Sequence, residues 1–380
     1  MKPVAISTLG ERYLLSNYGT FFQHYALRKV LRNWGFSPFR VSHLSDRYEK
    51  KGFFQCWFKD VIRPIYWLLR MRPNLLMQSR RVFEADFLNL LFLSDYWKLV
   101  GRFREMQDFE NAAVGIMGGD QILGSRSERD WLKDIPVGGK CITYAASSDW
   151  TERKVDVQWR EFASRQFKRF SAIGIREQTG VDLCRWMAED PSEVEHVADP
   201  VMLLDVKDYM SIASRRVVFK RPTLFGYFVN IRSKADLRID EYVRLAELLG
   251  CDLRIAGIQG AEMLIPAEYR VRLSPTQFLR AMMDARYVVT NSYHGSVFAA
   301  IFKKNFLSVW QNCPAGTNQN ERQKEFMVQI GLKDRWVDWR LNADQWYRLL
   351  MEPVNWPKVI DEKNVFRDKS AKWLEKSLKA

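Results

Sequence analysis

Three side chains stand where their chemistry would be usable. Tyr287 to Trp310 reads as strand, polar loop, helix and strand, and His294 falls in the loop. An imidazole past the carboxyl end of a strand and at the mouth of the next helix lies where open α/β sheets hold ligands. Its ordinary pKa of ~6.5 lets it give or take a proton near neutrality; the competing assignment is a structural hydrogen bond. Arg176 follows the apolar run Ala172-Ile173-Gly174-Ile175, and its guanidinium can grip a carboxylate or phosphate through two parallel hydrogen bonds. An ion pair with Glu177 or a neighbour is the alternative. Asp120, in Gly118-Gly119-Asp120-Gln121, could act as a base toward a hydroxyl. The glycine doublet equally suits a tight turn at which two backbones approach.

The elements that must position these groups alternate between strand and helix. Residues 3–8 read as a buried strand, and Gly19 opens an apolar-periodic helix from Thr20 to Trp34 that stops at Gly35. Ala112–Met117, Cys141–Ala145 and Ala172–Ile175 read as further strands, each meeting polar residues at its carboxyl end. Asp199-Pro200 starts the passage out of this first domain (1–204), and 205–220 suits a linker. The second domain (221–350) repeats the pattern. Thr223–Val229 and Asp252–Ala256 are strands, Ile239–Leu249 a helix ending at Gly250, and Pro275 opens a helix over Thr276–Asp284. A helical tail occupies 351–380, with helical spacing from Asn364 to Leu378. The expected fold is α/β, with two doubly wound Rossmann-like domains facing a cleft.

Bulk properties narrow the partners. The formal net charge of +14 calls for an anionic partner: nucleic acid, a membrane surface or a phosphorylated substrate. Zinc-finger spacing, an RNP-type aromatic motif and a basic zipper are all missing, which argues against nucleic acid. The five cysteines are scattered without C-x-x-C, so neither a disulfide framework nor a zinc site is expected. No metal is expected. Neither G-x-G-x-x-G nor a Walker A lysine is found. No run reaches the ~18–20 apolar residues of a membrane span, and the N-terminus turns polar too soon for a secretory signal, so a cytoplasmic location is expected. From Arg47 to Arg81, nine Lys or Arg are interleaved with Phe53, Phe54, Trp57, Phe58, Tyr66 and Trp67. That composition suits either a peripheral contact with an anionic membrane or a helical insert with its charges in water.

The segment Thr290-Asn291-Ser292-Tyr293-His294-Gly295-Ser296-Val297-Phe298 resembles the T-[DN]-S-[FY]-H-G-x-x-F signature of the polysaccharide pyruvyl transferase family. Ser16–Leu27, Gly118–Gln121, Thr143–Ser147, Gly174–Gly180 and Ala198–Leu204 are similar to other blocks of that family, in the same order. The resemblance implies a two-domain GT-B-like enzyme that moves pyruvate from phosphoenolpyruvate onto two hydroxyls of a sugar as a ketal, with phosphoenolpyruvate as donor and no further cofactor. It places the donor near Arg176, Ser292, Tyr293, His294, Gly295 and Ser296, with His294 as the acid–base group. The acceptor side would comprise Asn17, Tyr18, Gly19, Gln23, Asp120 and Gln121. The implied acceptors are sugar units of capsules, exopolysaccharides or cell-wall polymers, including units carried on undecaprenyl diphosphate. Some relatives carry an arginine where this chain has Ser292, so Arg232, Arg322 and Lys324 are candidate replacements, the last two in the polar stretch Asn318–Lys324. Two other functions fit the same scaffold: a glycosyltransferase whose Gly118-Gly119 or Gly19 cradles a nucleotide diphosphate, and a non-catalytic binding protein.

Overall fold

A computed structural model describes residues 1–7, 17–41, 112–123, 140–148, 157–188, 194–258, 261–312 and 319–379, with isolated positions between 92 and 107. The basic aromatic stretch 47–81 lies outside the described residues. In the first half, strands β1 (Pro3–Ser7), β2 (Ser37–Val41), β3 (Met106–Gln107), β4 (Val114–Leu123), β5 (Cys141–Ser148), β6 (Ala172–Ile175) and β7 (Val194–His196) form one sheet. Its order is β3-β2-β1-β4-β5-β6-β7, and the pairings are parallel. Helices α1 (Tyr18–Asn33), α2 (Val157–Phe167) and α3 (Gln178–Met187) connect them. Helix α4 (Val206–Ile212) then leads to the second half. There, α5 (Ile239–Leu248), α6 (Pro275–Asp284), α7 (Tyr293–Ile301), α8 (Gln319–Gln329) and α9 (Ala343–Met351) surround a second parallel sheet. Its strands are β8 (Thr223–Val229), β9 (Asp252–Ile258), β10 (Tyr287–Thr290), β11 (Asn305–Val309) and β12 (Trp336–Val337), in the order β12-β11-β10-β8-β9.

Central strands covered by helices on both faces need apolar side chains at every position. All seven residues of β8 are buried, and β10 is buried throughout. In each sheet the strand order reverses direction once, between β1 and β4 and between β8 and β10. Such switch points leave a crevice at the carboxyl ends of the strands. Ser147, Arg176 and Asn291 stand just at or beyond those ends.

One apolar cluster spans the two halves, beside separate clusters within each. From α1, Tyr18 stacks on Phe278 of α6 at 4.2 Å, and Phe22 meets Phe298 of α7 edge-on at 5.1 Å. The Tyr18 hydroxyl donates to the Leu273 carbonyl at 2.7 Å, so the ring's one polar atom is satisfied inside that apolar contact. Helix α10 (Trp356–Lys379) returns to the first sheet. Leu374 and Leu378 join Val4, Ile6 and Ile116 there, and the Ser370 hydroxyl accepts from Ala198 N–H at 2.8 Å. No helix among the described residues is long and apolar enough to cross a membrane.

Several local expectations are revised. The Gly118-Gly119 doublet does not end its strand: β4 continues to Leu123, with register shifts around Gly119. A Cβ on Gly118 would sit 1.9 Å from the Tyr144 carbonyl oxygen, and Gly119 has φ 116°. The close backbone approach is therefore real, but it is a bulge between neighbouring strands. The stretch 205–220 contains α4, whose Asp208 carboxylate accepts from Asp205 N–H at 3.1 Å. β2 was not anticipated, since Pro38 and Arg40 interrupt its apolar pattern, and α10 begins at Trp356, ahead of Asn364.

Candidate functional site

Polar residues from five of the six quoted blocks meet in one buried cluster between the two halves. The end of β5 supplies Ser147. The end of β6 supplies Arg176 and Glu177. Asp199 precedes the 3₁₀ turn Pro200–Leu203 and caps it, its Oδ1 accepting from Val201 N–H at 2.9 Å. Arg176 donates from Nε to Glu177 Oε1 at 2.8 Å, from Nη1 to Asp199 Oδ2 at 2.9 Å and from Nη2 to Ser147 Oγ at 2.8 Å. Ser147 Oγ in turn donates to Glu177 Oε1 at 2.8 Å. The guanidinium carbon lies 4.4 Å from the centre of the Tyr293 ring, a cation–π contact with the opposite half. Gln23 Nε2, from α1, donates to Asp199 Oδ2 at 2.6 Å.

Into this cluster α7 brings His294. The helix starts at Tyr293 because Ser292 Oγ accepts from Gly295 N–H at 3.4 Å, an N-cap arrangement. The histidine therefore stands in the first helical turn, not in a loop. Its Nε2 is 3.4 Å from Asp199 Oδ2, without the alignment of a hydrogen bond. The other ring edge faces α1: a Cβ on Gly19 would fall 2.1 Å from His294 Nδ1. Glycine at 19 is what lets the N-terminus of α1 come this close.

Burial by itself would raise the Asp199 pKa. The His294 ring, then the Arg176 charge and the Val201 amide, oppose it and hold the carboxyl at about 2. A carboxyl depressed in the folded state adds stability that is complete above its unfolded pKa of ~3.9 and disappears as pH falls through about 2. A depression of this size corresponds to roughly 2 kcal/mol. Unfolding free energy is expected to fall between about pH 4 and pH 2, and Asp199→Asn to lose that part of the slope; denaturant titrations at pH 5, 3 and 2 check it. Glu325 works in the opposite sense, because burial raises its pKa against the amides that bind it. An unchanged slope in the asparagine variant would contradict the assignment.

The other expected site residues divide by how their polar atoms are used. Asn17 caps α1, its Oδ1 accepting from Gly19 N–H at 2.9 Å and Thr20 N–H at 3.4 Å. Tyr18 belongs to the shared core. Gly295 packs on Thr290, whose Oγ1 would be 2.2 Å from an added Cβ. Ser296 Oγ donates to Ser308 Oγ at 2.9 Å, and Gln323 Nε2 donates to the same oxygen at 3.1 Å, so Ser296 is a buried hydroxyl inside the second half. Asn291 extends the β8 ladder with its side chain, accepting from Val229 N–H at 2.8 Å and donating to Val229 O at 2.9 Å. Asp120 and Gln121 lie in β4 by backbone; their side chains are outside the described residues. Arg232 is exposed, Arg322 is buried on α8, and Lys324 pairs with Glu321 at 3.4 Å. The Arg176 guanidinium is committed to internal partners, the arrangement the sequence left open beside donor binding. The sequence offers Glu177 as an ion-pair partner of Arg176, and the pair is present at 2.8 Å; it marks Asp199 only as the start of the passage out of the first domain and does not single out Ser147, although all three lie in the quoted blocks. A lone acid in the otherwise apolar Val197-Ala198-Asp199-Pro200-Val201-Met202 was the available signal for Asp199.

The model of the family described as polysaccharide pyruvyl transferase matches residues 17–312. Among solved structures, a UDP-N-acetylglucosamine 2-epimerase from Rickettsia bellii aligns with a TM-score of 0.51 at 11% identity, covering 100% of this chain and 96% of that one. A putative UDP-N-acetylglucosamine 2-epimerase from Listeria monocytogenes aligns with a TM-score of 0.50 at 9% identity, covering 98% and 90%. At these identities the likeness shows the two-domain, GT-B-like α/β fold and nothing of the substrate. No curated protein matches the sequence.

Proposed function

Because this chain belongs to the polysaccharide pyruvyl transferase family, we propose that it transfers pyruvate from phosphoenolpyruvate to two hydroxyls of a sugar, closing a cyclic ketal. The supporting observation is the meeting of His294 from one half with Asp199 and Arg176 from the other in a single buried cluster. In the proposed reaction His294 protonates the methylene carbon of phosphoenolpyruvate while a sugar hydroxyl bonds to C2. The second hydroxyl then displaces phosphate. One hydroxyl proton ends in the new methyl group and the other on phosphate, so the reaction balances without an added oxidant, reductant or metal. Asp120 is the proposed base for the hydroxyl. Arg176 is the proposed donor-binding cation, reaching the donor's anionic groups by exchanging one of its contacts to Glu177, Asp199 or Ser147.

The finer reading is a sugar unit of capsule or exopolysaccharide, carried on undecaprenyl diphosphate at the inner face of the membrane. The cations and aromatic rings of 47–81 support it by composition. The glycosyltransferase alternative fits the same GT-B-like scaffold; at Gly118 and Gly19 the side a Cβ would take is filled by the Tyr144 carbonyl and the His294 ring.

The test is phosphate release from phosphoenolpyruvate over a panel of sugar acceptors, with proton NMR of the product. Acceptor-dependent release and a new ketal methyl signal are expected, with His294→Gln slower by about 10²-fold or more. Turnover of a nucleotide sugar by a protein that ignores phosphoenolpyruvate would overturn the proposal.

A further inference from the structure

His294 and the groups that hold it belong to opposite halves of the molecule. The ring rides on α7, while Asp199, Gln23 and Gly19 come from the first half. Asp199 cannot turn. Val201 N–H occupies Oδ1 at 2.9 Å, and Gln23 Nε2 and Arg176 Nη1 reach Oδ2 at 2.6 and 2.9 Å. A carboxylate fixed on three sides is a rigid acceptor for whatever approaches the fourth, and the group that approaches is His294 Nε2 at 3.4 Å. On the far side of the ring Gly19 leaves no space for retreat.

The charges point the same way. Glu177 lies behind Arg176 in the same ion-pair chain, and the Tyr293 ring stands edge-on to the imidazole at 5.1 Å. Tyr144 and Tyr209 feel the Asp199 charge, but burial pushes both phenols well above their usual range and keeps them neutral. Arg176 contributes one positive charge and Glu177 and Asp199 two negative ones, so these three side chains are together net negative beside the ring.

A second tie crosses the same boundary. Glu177 takes the N-cap position of α3, but its side chain makes no cap hydrogen bond there and is committed to Ser147 and Arg176. Glu325 of α8 fills the role from the other half, accepting from Gln178 N–H at 2.7 Å and Thr179 N–H at 3.2 Å. The contact that completes His294 is therefore made beside a second polar tie between the same halves.

We propose that Asp199 is the positioning residue for His294: facing Nε2, it holds the ring in one orientation and favours the proton on that nitrogen, which leaves the opposite nitrogen for proton transfer with substrate. The catalytic half of this statement rests on the pyruvyl transfer proposed above; the positioning half does not. The experiment follows the ¹⁵N-labelled histidine rings of the full chain by NMR, assigning His294 from the signals missing in His294→Gln. In the wild type, a single tautomer with a slowly exchanging imidazole N–H is expected. Asp199→Asn is expected to abolish that protection. With phosphoenolpyruvate and acceptor, Asp199→Asn should lower kcat about 10²-fold and leave KM for phosphoenolpyruvate within about threefold. If asparagine at 199 prevents folding, Asp199→Glu keeps the charge but displaces its oxygens, and the same losses are expected. An imidazole N–H that exchanges equally fast in wild type and variant overturns the positioning role. Should the wild type ignore phosphoenolpyruvate, the proposed activity falls while the ring measurement still decides the positioning.

Discussion

Arg176→Leu is expected to lower the melting temperature by on the order of 10 °C, the largest stability effect of any single substitution in the cluster. The guanidinium is bonded to Glu177 and Asp199, whose side chains are 2% and 0% exposed. Removing it strands two carboxylates away from water, and breaking a buried pair in this way costs about 3–5 kcal/mol. Because the carboxylates have almost no solvent contact, screening does little to soften the loss. Arg176→Lys should fall between wild type and leucine, since one ammonium cannot reproduce the fork that reaches Glu177, Asp199 and Ser147 together. Scanning calorimetry decides; a leucine variant melting within 2–3 °C of wild type would mean that the pair contributes far less than its burial suggests. The same stability loss changes how donor binding must be tested. Weak phosphoenolpyruvate binding by a partly unfolded leucine variant says nothing about contact, whereas its loss in a folded lysine variant would.

The second large effect is expected from the smallest change, one methyl group at Gly19. An alanine Cβ there would lie 2.1 Å from His294 Nδ1, 2.5 Å from Cγ and 2.6 Å from Cε1. No flexible chain end is involved, because the clash is with the ring itself. Either the imidazole leaves Asp199 or α1 moves away from α7. Overpacking of this kind costs about 1–3 kcal/mol, and moving a reacting group by ~1 Å costs about 10²-fold in rate. Gly19→Ala is therefore expected to fold with a modest loss of stability and to lose 10²-fold or more of its pyruvyl transfer rate. Helix propensity alone would predict a gain of about 1 kcal/mol from this substitution, so the sign of the stability change separates the two effects. A variant that is more stable than wild type and fully active would remove His294 from the proposed chemistry.

Glycine 19 also marks the boundary between what could and could not be read along the chain. By itself the sequence determined the alternation of strand and helix, two parallel sheets and the address of His294 at the carboxyl end of β10. These follow from apolar runs, caps and breakers, whose effects act within a turn or two of chain. Pro275 starts α6 and Gly250 lies just beyond α5, as local rules require. The family blocks were legible in the same way, as short ordered strings.

Tertiary structure alone decided which polar groups face one another. Gln23 reaches Asp199 across 176 residues, and the Tyr18 hydroxyl reaches the Leu273 carbonyl across 255. No periodicity encodes such pairs. They form because two separately patterned sheets close over a shared apolar core, and any polar atom carried into that core must find a partner or bear the cost of desolvation. Asp199, read from the sequence only as part of a domain exit, becomes the centre of the cluster for that reason. Arg176, chosen for its affinity for anions, meets the protein's own carboxylates first.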